Sequence, residues 1–209
     1  MLLRDLFTSP IQTLVVLAAI VVAVTVHEFA HAWTAVRLGD DTPLHQGRVT
    51  LNPASHLDLW GSICFVVAGF GWGKPVVYNP MRLSHRRDEL LVALAGPASN
   101  ILLAIIFNIL LAVQTHSGIT VIYPAFLELA ALVNIYLAAF NLIPIPPLDG
   151  SSILAYFWPA YRSIVGGQIG LVILLLLILP LGFSGSILST ILNPVIGVIY
   201  WITHLFGLL

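Results

Sequence analysis

Five stretches of this chain, approximately 11–38, 89–113, 121–143, 164–181 and 187–206, are apolar over nearly their whole length. About 20 helical residues cross the hydrocarbon of a bilayer, and each stretch is near or past that length. A bilayer interior holds no water to satisfy backbone N–H and C=O groups, so segments of this kind cross as helices. Composition agrees: of 209 residues, 8% are charged and 59% hydrophobic, with a mean hydropathy of +1.00, against roughly 25% charged in a soluble domain. A surface so short of charge faces lipid over most of its area. The formal net charge of −1 comes without the clustered Lys and Arg that displace phosphate counterions, which excludes nucleic acid as a partner. A single cysteine, Cys64, leaves no intrachain disulfide and no cysteine zinc cluster.

A sixth apolar stretch, 61–72, is too short to span. Polar connections occupy 39–60 and 73–88, and a proline-rich break covers 144–150. Neither a repeat nor a low-complexity segment interrupts the chain. It reads as one membrane-embedded domain, 1–209, with a core at about 11–150 and accessory helices at about 151–209. The first apolar run passes signal-peptide length and contains His27 and Glu28, so it is expected to be retained as a helix.

The basic residues set the orientation. They are Arg4, Arg37, Arg48, Lys74, Arg82, Arg86, Arg87 and Arg162. If the first helix runs from outside to inside and 61–72 does not cross, all except Arg4 fall on one side. That bias marks the cytoplasmic face. The expectation is therefore a re-entrant or half-inserted segment at about 61–72, with the N-terminus outside. Between these parts, Gly47-Arg48-Val49-Thr50-Leu51-Asn52-Pro53 alternates polar and apolar residues and closes on Asn-Pro. This pattern predicts a short strand or hairpin near 44–52. The fold class expected is an all-α polytopic membrane protein with five spanning helices, the short re-entrant segment and that small β element.

Within the first span stands His27-Glu28-Phe29-Ala30-His31. Histidines at i and i+4 share a helical face and reach one metal ion, with Glu28 beside them to hold an attacking water. An H-E-x-x-H arises by chance in such a composition with a probability of about 0.003. Ionisable groups in a spanning helix call for a function; the alternative is a buried polar cluster gluing two helices. A catalytic zinc takes three protein ligands and leaves one position open. His116, His204 and Glu128 fall toward the other side or at a different helix end. Asp149 follows Pro144-Ile145-Pro146-Pro147-Leu148, where prolines stop the helix, and precedes Gly150. An ordinary Asp-Gly surface turn is the competing reading. Parity favours the ligand: spans 89–113 and 121–143 go out and back, returning Asp149 to the side toward which the two histidines point.

Other features carry blander expectations. The small residues Ala93, Ala95, Gly96, Ala98 and Ser99 around Pro97 predict close helix packing, for instance against Ala30 and Ala32. His45, His56 and Asp58 read as solvated loop residues, with transient metal loading as the alternative. Tyr156, Trp158, Tyr161, Tyr200 and Trp201 read as interfacial anchors. The last two spans shape a gate or support the core.

The histidine motif, the segment Ala95-Gly96-Pro97-Ala98-Ser99-Asn100 and the run from Asn141 to Gly150 together resemble the site-2 proteases, zinc metalloproteases that cut inside membranes. The last piece fits that family's Asn-x-x-Pro-x-Pro…Leu-Asp-Gly signature. The resemblance implies His27, His31 and Asp149 as ligands of one Zn(2+) per chain, and Glu28 as the catalytic base. It implies Asn141 as a group steadying the substrate or oxyanion, Asn100 as a supporting residue, and Arg48, Val49, Thr50 and Leu51 as a strand that clamps an unwound substrate. It resembles a compact form without a PDZ domain. The function implied is hydrolysis of peptide bonds within or near transmembrane segments of membrane proteins, as in regulated intramembrane proteolysis. The partners are then a transmembrane protein or peptide and the lipid bilayer. The setting implied is a cell (plasma or inner) membrane, with the active site toward the cytoplasm. The rival functions are a non-hydrolytic membrane metal-binding protein or transporter, and an inactive protease-like chaperone.

Overall fold

The computed structural model describes residues 8–68, 71–166, 168–178 and 187–205. Its regular structure is helical: α1 (Pro10–Arg37), α2 (Thr42–His45), α3 (Leu59–Ala68), α4 (Arg86–Ser117), α5 (Pro124–Asn141), α6 (Asp149–Phe157), α7 (Tyr161–Ile164), α8 (Gln168–Ile178) and α9 (Ile187–Leu205). Three of these, α1, α4 and α5, are long and apolar enough to cross a membrane. The expectation of five spans is corrected here. Outside those three, the described apolar helical stretches are Gln168–Leu177 and Ser189–Leu205. The 11 residues of α8 rise only about 17 Å, little more than half the hydrocarbon thickness. The remainder of the expected 164–181 span lies partly in the separate helix α7 and partly outside the described residues.

The long helices carry rows of buried side chains spaced four apart, half of them alanine or glycine. On α1 the row is Ala19, Ala23, His27, His31 and Ala35; on α4 it is Val92, Gly96, Asn100, Ala104 and Asn108. All ten are buried. Residues four apart form a ridge on a helix surface, and ridges of alanine and glycine let two backbones approach closely. α5 adds Ala130, Ala131, Ala138 and Ala139, buried around Leu127, Asn134 and Ile135. α4 packs against α1, α5 and α6, and so organises the bundle. A second apolar cluster joins Ala104, Ile135, Ala138, Ile143 and Leu148 to Leu174 of α8 and to Leu192 and Ile199 of α9.

Helix ends follow local chemistry. α1 and α5 open on proline at the first position, where a missing N–H costs nothing. α1 stops at Gly39, whose φ of 107° suits glycine alone, and the Asp40 N–H then returns to Ala35 O at 3.0 Å. The chain at Trp72 lies beside the start of the short helix α3. Gly61 lies against the Trp72 backbone, so closely that a Cβ there would overlap the Trp72 carbonyl. The Lys74 N–H donates to His56 O at 2.7 Å.

The β element expected near 44–52 does not form. Among the described residues the strand-like pairing is an isolated bridge, Leu57 with Gly73. The alternating pattern finds no neighbouring strand because local partners consume its backbone groups. The Arg48 N–H donates to Pro43 O and the Thr50 N–H to Arg48 O, while Thr50 O accepts from His56 Nε2 at 2.7 Å. The Arg48 side chain, which alternation would place on an outer face, is buried. Its guanidinium donates to the carbonyls of Ser55, Lys74 (3.0 Å) and Pro75 (3.1 Å). His56 is likewise fully buried rather than solvated. Asp58 accepts the Gly61 N–H at 2.8 Å, in the first turn of α3, and His45 stays exposed beside Asp41.

Candidate metal centre

The middle of α1 turns His27 and His31 toward α4, and both are buried. They fit because the α4 residue facing them is Gly96. A Cβ at that position would sit 2.6 Å from His27 Nε2 and would overlap His31 Nε2. The small-residue run around Gly96 thus makes room for two imidazoles. Each ring is then anchored through its far nitrogen. His31 Nδ1 lies 2.7 Å from Val92 O, and a carbonyl only accepts, so Nδ1 carries the hydrogen. His27 Nδ1 lies 2.6 Å from Asn100 Oδ1. The other end of that amide, Nδ2, donates to Ala23 O at 3.2 Å and to Asn134 Oδ1 at 2.7 Å.

Asp149 arrives from the opposite direction. α5 ends at Asn141; Pro144 and the cis peptide bond Pro146–Pro147 take the chain through a non-helical turn, and α6 begins at Asp149 itself. Gly150 is packed so tightly on the carbonyls of Leu142 and Ile143 that a Cβ would overlap both. That contact seats Asp149 against the bundle. The turn is further tied by the Tyr161 hydroxyl, which donates to Pro144 O, and by Arg86, which donates to Ala155 O at 3.2 Å and lies over the Tyr156 ring. Tyr161 is therefore buried in the protein and not an interfacial anchor.

Three potential ligand atoms converge. His27 Nε2 and His31 Nε2 are 3.0 Å apart, and Asp149 Oδ2 lies 3.2 Å from the first and 3.3 Å from the second. With hydrogens on both Nδ1 atoms, neutral rings direct two bare lone pairs at each other and at a carboxylate oxygen. Asp149 Oδ2 is buried without a hydrogen-bond partner. Three acceptors facing one another need a cation between them. Ligands at about 2.0–2.1 Å from a tetrahedral zinc are themselves about 3.3 Å apart, close to the triangle seen here. The donor set, two imidazoles and one carboxylate, also suits zinc. Among the described residues no other group of three His, Cys, Asp or Glu side chains converges in this way. His116 bonds back to Ala112 O and His204 stacks on Tyr200.

Glu28 is half-buried next to His27, and its Oε2 accepts the Val76 N–H at 3.0 Å. Val76 belongs to the strap 71–79, which Arg48 holds from one side and Asp40 from the other, through the Asn79 N–H at 2.5 Å. The remaining expected residues have other partners. The Asn141 amide donates to Leu137 O at 3.0 Å, within its own helix. Arg48, Val49, Thr50 and Leu51 form no strand edge for a substrate; Arg48 and Thr50 instead pin the connection. Val92, Asn134 and Val76 were not singled out from the sequence. A backbone carbonyl or N–H leaves no sequence signal, but an asparagine in the middle of the apolar α5 does, because a polar amide in a span needs a partner.

The sequence profile of "Peptidase family M50" matches residues 15–123 and 113–179. The protein named "Putative zinc metalloprotease YwhC" from Bacillus subtilis is 42% identical over 142 residues, 65% of each chain. This chain therefore spans just under two thirds of that relative's length. "Putative zinc metalloprotease Rip2" from Mycobacterium tuberculosis is 35% identical over 206 residues, 92% of this chain and 74% of that protein. "Putative zinc metalloprotease MJ0611" from Methanocaldococcus jannaschii is 37% identical over 75 residues, 36% of this chain and 37% of that protein. No solved structure matches significantly. With a family match over most of its length and His27, His31 and Asp149 converging, the chain belongs to peptidase family M50, the membrane zinc metalloproteases of site-2 type.

Proposed function

We propose that this chain is an endopeptidase that binds one Zn(2+) through His27, His31 and Asp149 and hydrolyses peptide bonds within or beside transmembrane segments of other membrane proteins. The observation that carries this reading is the convergence of three lone pairs, 3.0 to 3.3 Å apart, with the Glu28 carboxylate next to His27 in the same helix. Zinc bound there supplies Lewis acidity, making water nucleophilic near neutral pH and polarising a scissile carbonyl. Glu28 takes the proton of the attacking water and delivers it to the leaving amine. The Val76 N–H on Oε2 fixes the rotamer of that carboxylate and leaves Oε1 as the proton acceptor. Asn141 releases Leu137 O and donates to the oxyanion.

The basic residues of 37–87 and Arg162 support an active site toward the cytoplasmic side of a cell membrane with the N-terminus outside. A helical substrate buries its amides in its own hydrogen bonds, so cleavage requires local unwinding near the centre. The test uses the protein purified in detergent with a model transmembrane peptide. Cleavage that a chelator abolishes and zinc restores is the expected result; metal-independent cleavage, or zinc binding with no cleavage of any membrane peptide, overturns it.

A further inference from the structure

We propose that Asn134 is a positioning residue of the metal centre, acting through Asn100 to keep His27 in its metal-binding tautomer; this rests on the zinc reading above. Asn134 lies in the middle of α5 with no exposure, among Leu127, Ala130, Ala131 and Ala138. A side-chain amide in that setting persists only if both of its ends are satisfied. They are. Nδ2 donates to Ala130 O at 2.7 Å, and Oδ1 accepts from Asn100 Nδ2 at 2.7 Å.

The polarity of the chain of bonds is determined from one end. Ala130 O can only accept, so the NH2 of Asn134 faces it and the oxygen faces Asn100. Asn100 must then turn its NH2 toward Asn134 and Ala23 O, and its oxygen toward His27 Nδ1. An acceptor at Nδ1 puts the ring hydrogen there and leaves Nε2 bare, facing His31 Nε2 and Asp149 Oδ2. Were Asn100 reversed, its NH2 would donate to Nδ1. The ring hydrogen would move to Nε2 and point into the metal position. Ala23 O, at 3.2 Å, is the weaker of the two contacts that oppose reversal; Asn134, at 2.7 Å, is the stronger.

His31 shows why His27 needs this device. Its Nδ1 partner is Val92 O, a backbone carbonyl that cannot be flipped. His27 faces a side-chain amide whose two ends look alike in shape and opposite in function. The third helix removes that ambiguity. A simpler role, an asparagine pair that glues α4 to α5, makes the same two contacts but has no consequence for the metal.

Zinc affinity separates the two roles, measured by chelator competition on the full-length protein in detergent. Asn134→Leu, close in size and apolar, is expected to weaken zinc about 10-fold, in the range seen for residues behind a ligand. Asn134→Asp, as the neutral acid, still donates to Ala130 O and accepts from Asn100, and is expected to restore parental affinity. In an Asn100→Leu background, Asn134→Leu should weaken zinc no further, because its route to His27 is already gone. Asn134→Ala stands in if the leucine variant does not fold. Unchanged zinc affinity in Asn134→Leu with a lowered melting temperature overturns the proposal in favour of helix glue. Equal losses with and without Asn100 overturn it too. A parent protein that binds no zinc overturns the metal reading itself, and is recognised because the parent is measured first.

Discussion

The helical bundle and the connection 39–85 contain the same kinds of side chain and employ them in opposite ways. In the bundle, helices satisfy their own backbone groups, so polar side chains remain free to meet one another. His27, His31, Asn100 and Asn134 do so, and Asp149 joins them from the turn after α5. In the connection the backbone has no regular partners, and the side chains are spent on it. Arg48 holds three carbonyls, Asp40 the N–H groups of Thr42 and Asn79, His56 the carbonyl of Thr50, and Asn52 and Asn79 the N–H groups two residues ahead. A buried histidine or aspartate is thus no ligand by virtue of type and burial. What distinguishes His27 from His56 is what the second nitrogen meets: His27 Nε2 faces His31 Nε2 and Asp149 Oδ2, whereas His56 Nδ1 meets no polar partner.

The division predicts that damage in the bundle shows first in metal and catalysis, while damage in the connection shows first in stability. The largest effect is expected from His27→Ala, His31→Ala or Asp149→Ala. Each removes one of the three proposed ligands, and zinc affinity should fall by more than the roughly 100-fold that marks the upper range for residues behind a ligand. Metal content measured after gel filtration checks this. A stoichiometric Asp149→Ala protein would detach the turn from the metal and leave the two-histidine helix to act alone.

Next is Glu28→Gln. The amide keeps the shape and can still accept the Val76 N–H through its oxygen, so zinc should be retained. Proton transfer is lost, and cleavage of a model peptide should slow about 100- to 10,000-fold. The split between zinc content and rate is the signature; a variant that loses both would move Glu28 from the reaction to the support of the site.

The same division explains what the sequence disclosed. α1 brings two imidazoles onto one face by a fixed helical offset, so the meeting of His27 and His31 was legible from spacing alone. Asp149 was legible only through topology, since its approach depends on counting crossings and on prolines that end α5. The connection misled because alternation in 47–53 is a property of side chains, whereas a strand also needs an edge to pair with. The Arg48 side chain, long enough to bridge to Lys74 and Pro75, replaced that edge. The two expected C-terminal spans are not supported among the described residues, where α8 is helical over only 11. Asn134 could have been noticed as a lone amide in an apolar helix; the partners Val92 O and Val76 N–H could not.

In the connection, Arg48→Met keeps the bulk of the side chain and removes its donors. Three carbonyls lose a charged partner, and melting should report a loss of about 2–3 kcal/mol. Zinc affinity should stay near the parental value because no ligand touches Arg48. Cleavage should fall less than in Glu28→Gln, since the strap residue Val76 still reaches Glu28 when the strap is folded. A drop in zinc as deep as that of His27→Ala would erase the distinction between the two regions.

Asp40 gives the smallest effect and the one with a defined pH course. Burial pushes its carboxyl up, but the N–H and O–H of Thr42, the Asn79 N–H and the Arg82 charge outweigh this and hold it below its ordinary value of 3.8. A carboxylate with a depressed folded value stabilises fully above the unfolded value and loses that contribution as pH falls through the folded one. Between pH 5 and pH 8 its hold on the strap should therefore be constant, and it should fail only below about pH 4. In Asp40→Asn, one of the two acceptor oxygens becomes a donor that meets an N–H, of Thr42 or of Asn79. The loss should be about 1–2 kcal/mol, visible as faster proteolysis within 71–85 at unchanged zinc content. Asparagine does not titrate, so the variant's proteolysis should lack the parental rise below pH 4. A parental strap that loosens between pH 5 and pH 8 would mean that another group holds it, and Asp40 would then no longer be the counterpart in the connection of what Asp149 is in the bundle.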